Sequence, residues 1–172
     1  MKAAAFPTLA TLVLASACDI ALLPETASYE GEATPRMEVV IAGDAMPTEM
    51  VEEVDLEIVE VMLHRASDDT WVWIAGDGTR FELSDESAPT SVPCLADHYD
   101  RMLVVVDEPR VATGGKWHKI KLDNDELELP VDIDLDADTR LELRFDVGAS
   151  LHGKSAKEWR FDPQLRAEIV AE

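Results

Sequence analysis

One segment of the sequence, VDIDLDADT, places a carboxylate at every second residue, at Asp132, Asp134, Asp136 and Asp138. Calcium binds about six to eight oxygen atoms in proteins, and carboxylates are among its main ligands. If the chain bent these four side chains into one loop, they would make a calcium site. Apart from this alternative, we expect no cofactor. A loop of the EF-hand type is absent, because it needs glycine where Ala137 stands.

A β-strand would give these aspartates a different role. Val131, Ile133, Leu135 and Ala137 alternate with the four carboxylates, and side chains along a strand alternate between its two faces. The apolar residues would then be buried and the aspartates would lie in water. We favour this interpretation. Four like charges on one face repel one another, however, and this leaves weak cation binding as the alternative.

Histidines supply a second group of candidate ligands. Asp97, His98 and Asp100 lie within four residues, and His118 would join them if it fell on a neighbouring strand. Imidazole and carboxylate together suit a transition metal. No two histidines have the spacing of a known metal-binding motif. We therefore treat Asp97, His98 and His118 as candidate binding residues without assigning a metal.

Nucleophile motifs are absent from the sequence, which contains neither G-x-S-x-G nor S-x-x-K. Two further carboxylates, Asp146 and Asp162, stand at turns, where aspartate side chains commonly accept hydrogen bonds from the backbone. We therefore expect a protein without enzymatic activity. An enzyme of an unrecognised class is the rival hypothesis, and it would need carboxylates that converge in a pocket.

The charge balance limits the kinds of partner. The 172 residues include 36 acidic and 15 basic side chains, which give a formal net charge of −21 at pH 7. Such a chain repels nucleic acid and anionic lipid headgroups, and we expect no nucleic-acid partner. The charge serves solubility, or it attracts cations or a basic partner.

The N-terminus has the three parts of a secretory signal peptide. Lys2 is followed by the apolar stretch AAAFPTLATLVL, and the small residues Ala15, Ser16 and Ala17 come next. The apolar stretch is too short for a membrane span, which needs about 20 residues. We predict that residues 1–17 are removed during export.

Cys18 follows this segment directly, and the sequence LASAC resembles the lipobox of bacterial lipoproteins. The resemblance implies cleavage before Cys18, acylation of its thiol with fatty acids such as palmitate, and attachment to a membrane of the cell envelope. Two or more acyl chains anchor a protein durably. Ordinary cleavage at the same bond, which would leave the thiol free, is the alternative. Cys94 lies between apolar residues, and we expect a buried, unreactive thiol.

The rest of the chain divides into a tether and a single domain. Residues 18–35 mix Pro, Gly, Thr, Ser and Glu without periodicity, which is typical of a tether. From residue 36 to residue 172 we count about seven to nine short segments with strand periodicity, separated by turn residues. This pattern favours an all-β domain, an antiparallel β-sandwich of the Greek-key type.

Three local features of this domain follow from the sequence. EVDLEIVEVMLHR reverses its alternation, which predicts a β-bulge near Ile58 and Val59. TWVWIAGDGTRFEL predicts a hairpin that turns at Gly76, Asp77 and Gly78. The long apolar run in YDRMLVVVDE predicts a central strand.

The order of motifs across about residues 36–170 resembles a lipoprotein domain of bacteria and archaea, domain of unknown function 4382. The matching segments are Val54 to His64, Tyr99 with Met102, Phe145 to Val147, and Asp162 to Arg166. The resemblance implies a β-sandwich on a lipid anchor and implies no particular chemistry.

Together these features predict a cell-envelope lipoprotein that is attached to the membrane by N-terminal acyl chains. We expect its β-sandwich to bind an envelope protein or a surface glycan. A calcium-dependent module is one alternative. A structural surface component is another, and it would present an exposed apolar patch or an open edge strand.

Overall fold

The computed structural model describes residues 34–44, 51–83, 89–153 and 158–170, which fold as a β-sandwich with one short helix. The predicted signal peptide, Cys18 and most of the predicted tether lie outside the described residues. The strands of sheet I are β1 (Arg36–Gly43), β5 (Thr90–Pro93), β10 (Thr139–Phe145) and β13 (Leu165–Val170). They lie in the order β13-β10-β1-β5. β1 and β10 run parallel, and the other two pairs are antiparallel.

Sheet II is built on two long antiparallel strands, β2 (Glu53–Arg65) and β6 (Asp97–Thr113). β3 (Thr70–Ala75) and β4 (Thr79–Glu82) follow each other along β2. β9 (Glu126–Leu135) and β7 (Lys116–Lys119) do the same along β6. Each sheet therefore has four strand positions, and the sandwich falls within the predicted range of about seven to nine. The predicted all-β sandwich is confirmed, and so is the central place of YDRMLVVVDE in β6.

A β-bulge at Val59 keeps β2 amphipathic although its alternation reverses. Ile58 pairs with Val106 of β6 and Glu60 pairs with Val105, so Val59 is the extra residue. The predicted bulge is confirmed. It directs one apolar face of β2 to the core, formed by Val54, Leu56, Ile58, Val61 and Leu63.

The predicted hairpin at Gly76, Asp77 and Gly78 is wrong, because β3 and β4 do not pair with each other. Both run antiparallel to β2, and the three residues bridge them beside the bulge. Gly78 donates its backbone N–H to the carbonyl oxygen of Ile58 at 3.0 Å. Gly76 has a φ of +93°, and a Cβ at this position would lie 2.9 Å from the Cα of Glu60. The glycines therefore mark an interrupted edge strand and not a chain reversal.

The apolar faces of the two sheets pack into one core. Burial of each large apolar side chain stabilises the fold by roughly 1.5–3 kcal/mol. Sheet II contributes the inner face of β2 together with residues of β6 and β9. Sheet I contributes Met37, Val39, Leu141, Leu143 and Phe145.

Two buried polar residues lie where β5 leads into β6. Cys94 is 2% exposed, and burial raises the pKa of its thiol. It is a free cysteine, so the predicted buried thiol is confirmed. Tyr99 is fully buried, and its hydroxyl donates to the carbonyl oxygen of Leu95 at 3.0 Å. Burial raises the pKa of Tyr99 to about 12.

The two ends of the sandwich differ in chemistry. One end carries the helix α1 (Val147–Ser150) and a small sheet of β8 (Lys121–Leu122), β11 (Leu151–His152) and β12 (Arg160–Phe161). Asp146 caps α1 by accepting a hydrogen bond from the Ala149 N–H at 2.8 Å, which confirms the turn role predicted for it. The other end lies where β2 ends and where β1 and β6 begin, and it is rich in carboxylates.

Candidate functional site

Eight aspartates collect at this second end of the sandwich, which we call the acidic end. They come from the turn between β2 and β3, from the start of β6, and from the end of β9 with the turn after it. Three arginines (Arg36, Arg65 and Arg101) and two histidines (His64 and His98) lie among them. The eight are Asp68, Asp69, Asp97, Asp100, Asp132, Asp134, Asp136 and Asp138.

His98 and Asp134, which belong to separate groups of predicted site residues, are in contact. The pairing of β6 with β9 sets them opposite each other. The Nδ1 atom of His98 lies 2.9 Å from Oδ1 of Asp134 and 3.9 Å from Oδ1 of Asp132. The hydrogen bond with Asp134 raises the pKa of His98. The positive charge that His98 carries when protonated therefore lies beside two exposed carboxylates.

Asp97 holds the start of β6 against the β2–β3 turn. Its carboxylate accepts hydrogen bonds from the Ser67 hydroxyl and from the His98 backbone N–H, the latter at 2.7 Å. These bonds, that of Ser67 first, lower the pKa of Asp97. In the same turn, Arg65 donates twice to Asp68, at 2.9 and 2.5 Å, and holds the pKa of that carboxyl at about 2. Such two-bond pairs fix orientation as well as charge.

His64 is the central residue that the sequence did not single out. It is 4% exposed and lies between two carboxylates. Its Nδ1 atom is 2.6 Å from Oδ1 of Asp100, and its Nε2 atom is 2.8 Å from Oδ1 of Asp69. The hydrogen bond with Asp100 raises the pKa of His64; burial opposes this effect, and the bond with Asp69 adds to it. The geometry favours a protonated imidazole that donates to both carboxylates.

Arg101 competes with Asp69 for the same nitrogen of His64. Its Nη2 atom lies 2.8 Å from Nε2 of His64 and 3.7 Å from Oδ1 of Asp69. A guanidinium only donates, so its contact with His64 is favourable when Nε2 carries no proton. Trp71 packs edge-on to His64 at 5.1 Å and lies under the Arg101 guanidinium at 5.4 Å. When His64 is protonated, it donates to Asp69 and Asp100. When its Nε2 atom carries no proton, that atom accepts from Arg101 instead. The Trp71 ring contacts both His64 and Arg101.

The four alternating aspartates do not converge on one point. Asp132 and Asp134 project from β9 into solvent, whereas Asp136 and Asp138 lie in the turn after β9. Oδ1 of Asp138 accepts a hydrogen bond from the backbone N–H of Arg36 at 2.9 Å. Within the described ranges, no three His, Cys, Asp or Glu side chains are placed to hold a metal ion.

His118 lies away from the acidic end. It is on β7, opposite Val111 of β6, whereas His98 is the second residue of that long strand. The strand length between His98 and Val111 corresponds to about 40 Å. The structure thus brings Asp97, His98 and the aspartates of β9 together and leaves His118 out.

A second charged cluster lies on sheet II near β7. The carboxylate of Asp55, 4% exposed, accepts hydrogen bonds from Arg80 at 2.8 Å and from Arg110 at 2.9 Å. Arg80 also donates to Glu57 at 2.7 Å, and Arg110 lies over the Trp117 ring at 4.8 Å. These groups satisfy one another, so the cluster ties β2, β4 and β6 together; removing one partner would leave a buried charge.

The acidic end is built to present charge. The hydrogen-bond partners of His64 are carboxylates and a guanidinium, and the Ser67 hydroxyl of the adjacent turn is bonded to Asp97. An activated nucleophile needs its base within hydrogen-bond reach of a hydroxyl, thiol or amine. The described arrangement instead offers exposed carboxylates. The net charge around them depends on whether two histidines are protonated.

No helix in the described parts of the chain has the length and apolar character needed to cross a membrane. No protein-family model, no curated protein and no solved structure matches the chain. The resemblance to domain of unknown function 4382 stays a prediction.

Proposed function

We propose that this protein is a cell-envelope lipoprotein, anchored through Cys18, whose β-sandwich is an interaction domain for a basic partner. One observation carries the binding part of the proposal. Three separate segments of the chain gather eight aspartates at one end, and some of these carboxylates are almost wholly in water. Asp69, Asp132 and Asp134 are 90%, 92% and 84% exposed.

Aromatic side chains next to the acidic end also support an interaction surface. Trp71 is half-buried, and Trp73 on the same face of β3 is 49% exposed. Tryptophan and arginine are the residues that most often dominate binding energy at protein interfaces. A basic segment of an envelope protein fits this surface better than an acidic glycan, which the carboxylates would repel.

Two features support the anchor. Cys94 is buried in the core, which leaves Cys18 as the cysteine available for acylation. The chain enters β1 at Arg36, at the acidic end, and an extended tether over residues 18–35 would reach about 60 Å. Anionic headgroups would repel the acidic end, so this end would remain accessible to a partner while the tether holds the protein on the membrane.

Substitution of each cysteine tests the anchor. Cys18→Ser should abolish incorporation of labelled palmitate and release the protein from the membrane fraction, whereas Cys94→Ser should keep both label and membrane attachment. Intact mass spectrometry of the mature wild-type chain is the direct measurement. A mass equal to that of the unmodified polypeptide would contradict the anchor.

Paired charge removal tests the binding end. The probe is a fluorescent lysine-rich peptide, measured by anisotropy against the full chain. Asp132→Asn with Asp134→Asn should weaken binding by about fivefold, because two exposed carboxylates are lost from the site. The matched control, Asp125→Asn with Glu126→Gln, removes two charges near the other end of β9. Equal losses in the two double variants would show that only net charge matters and would contradict a localised site.

A further inference from the structure

β13 (Leu165–Val170) is an edge strand whose free side is arranged for pairing. It bonds to β10 on one side, and none of the described residues pairs with its other side. The Asp146 N–H donates to the Gln164 carbonyl oxygen at 2.9 Å, in the register that continues β10–β13. Because bonded positions alternate along an antiparallel strand, the bonds to β10 fall on even-numbered residues. Leu165, Ala167 and Ile169 therefore direct their N–H and C=O groups outward.

The other strand edges in the described parts of the chain carry features that discourage pairing. Proline, interruption, short length and lysine all protect an edge. β13 has no proline, and its register with β10 is regular throughout. The protecting features elsewhere are Pro93 in β5, Pro130 in β9, the break at 76–78 between β3 and β4, and two lysines in the four residues of β7.

The same strand exposes apolar surface. Ile169 is 46% exposed and Val170 is 36% exposed. Beside them, between β13 and β9, lies a cleft of about 370 Å³. Its walls are apolar except for one carboxylate, and they include Val131, Ile133, Leu141, Ala167 and Ile169. A strand added to this edge would cover part of that surface.

We propose that the partner of β13 is a second copy of this chain, paired antiparallel about a two-fold axis through Ala167. Leu165 then lies opposite Ile169 of the second copy, and Ala167 lies opposite its own equivalent. The three residue pairs use every outward backbone group of Leu165, Ala167 and Ile169, and so give six hydrogen bonds.

The charges of Arg166 and Glu168 favour this register over the registers in which the two-fold axis is moved by one residue. With the axis at Ala167, Arg166 lies opposite Glu168 of the second copy on both sides of the axis. Both side chains are about half exposed and lie on the same face, 3.0 Å apart within one chain. An axis at Arg166 or at Glu168 would instead set two like charges directly opposite, which destabilises strand pairing.

The dimer should be weak and should depend on salt. One edge strand buries less area than the roughly 1,200 Å² of a stable interface. Two chains of net charge −21 also repel each other. Added salt screens this long-range repulsion, so dimerisation should strengthen as sodium chloride is raised. The proposal rests on the geometry of β13 and does not depend on the anchor or on the acidic end.

Sedimentation velocity on charge-swapped chains tests the proposal. The full chain carries Cys18→Ser in every sample, so that acyl chains do not drive association. Arg166→Glu alone, or Glu168→Arg alone, places like charges opposite each other, and the dimer dissociation constant should rise about tenfold or more. An equimolar mixture of the two variants restores opposite charges and should form a heterodimer about as tightly as the parent forms its homodimer. Ala167→Pro removes an outward N–H that bonds nothing in the monomer, and it should also abolish the dimer.

Melting temperatures of all variants show that the monomer remains folded. A parent chain that stays monomeric up to about 1 mM in high salt would overturn the proposal, because even a weak edge-strand dimer forms in this range. Equal dimerisation by the parent and both single variants would overturn it as well. If both single variants dimerise weakly and their equimolar mixture does not recover the affinity of the parent, the proposal is overturned too.

Discussion

At the scale of single residues, the charge of His64 links the turn between β2 and β3 to the start of β6. Asp69 of the turn and Asp100 of β6 hold its two ring nitrogens, and Arg101 approaches one of them. The pKa of His64 is raised above its ordinary value of 6.5, first by the bond with Asp100. A group whose pKa is higher in the folded state stabilises the fold while it is protonated. This contribution is complete below pH 6.5 and disappears as the pH rises through the raised pKa.

His64→Gln should therefore reduce stability more at about pH 6 than at about pH 9, because the protonated interaction exists only at the lower pH. The measurement is urea unfolding of both chains at the two pH values. His118→Gln, at the opposite end of β6, controls for the loss of a histidine. A loss of stability in His64→Gln that is the same at both pH values would contradict a protonated His64.

Residue types in the sequence identified most of the aspartates at the acidic end. Which of these side chains are in contact depends on the register in which the strands pair. The sequence singles out His98 and Asp134, yet their contact exists because Tyr99 pairs with Ile133 across β6 and β9. His64 was missed for the same reason, since Asp100 is 36 residues away. A useful signal is present: His64 occupies the outward phase of an amphipathic strand that ends in an aspartate-rich turn. Local pattern cannot specify which distant aspartate lies beside it.

At the scale of elements, the alternation of apolar and polar residues predicted the strands and the bulge. The Gly-Asp-Gly segment predicted the wrong connection between β3 and β4. A Gly-Asp-Gly segment suits a hairpin, but the strand before it and the strand after it both need β2 as a partner. β2 is 13 residues long, which is enough for both in line. The length of the preceding strand, β2, decided the outcome, and nothing within residues 70–83 encodes that length.

Alanine substitution at the two glycines separates backbone strain from crowding. Gly78 has a φ of +75° with open space around it, so Gly78→Ala should destabilise by about 1–2 kcal/mol through strain alone. Gly76→Ala adds a 2.9 Å clash with the backbone of Glu60 and should destabilise by about 3 kcal/mol or more. Thermal unfolding of the two variants measures the difference. Equal losses would show that the backbone of β2 moves aside.

At the scale of the whole molecule, repulsion between acidic groups opposes the compact state. The formal net charge is −21, and the aspartates at the acidic end are concentrated within one region. The net charge can be counted from the sequence. The fold, however, brings the eight aspartates of the acidic end together. Self-repulsion of this kind is relieved by any ion that screens it.

Sodium chloride should therefore raise the melting temperature, and calcium at matched ionic strength should add little. The reason is that Asp132 and Asp134 are exposed, and no three His, Cys, Asp or Glu side chains among the described residues are placed to hold a metal ion. Asp134→Asn should leave the response to calcium unchanged. A saturable, calcium-specific rise in melting temperature that disappears in Asp134→Asn would contradict this expectation and would favour the calcium-dependent module.

The parallel pair β1–β10 has a consequence for the order in which the protein is made. Met37 pairs with Thr139 and Gly43 pairs with Phe145, a separation of 102 residues. Ribosomes add about 5–20 residues per second, so β1 must wait about 5–20 seconds after its own synthesis for the strand that completes its ladder. Until then its apolar residues lack one side of their sheet. A nascent chain would remain incomplete for that interval, and chaperones would have time to engage it before the sandwich closes.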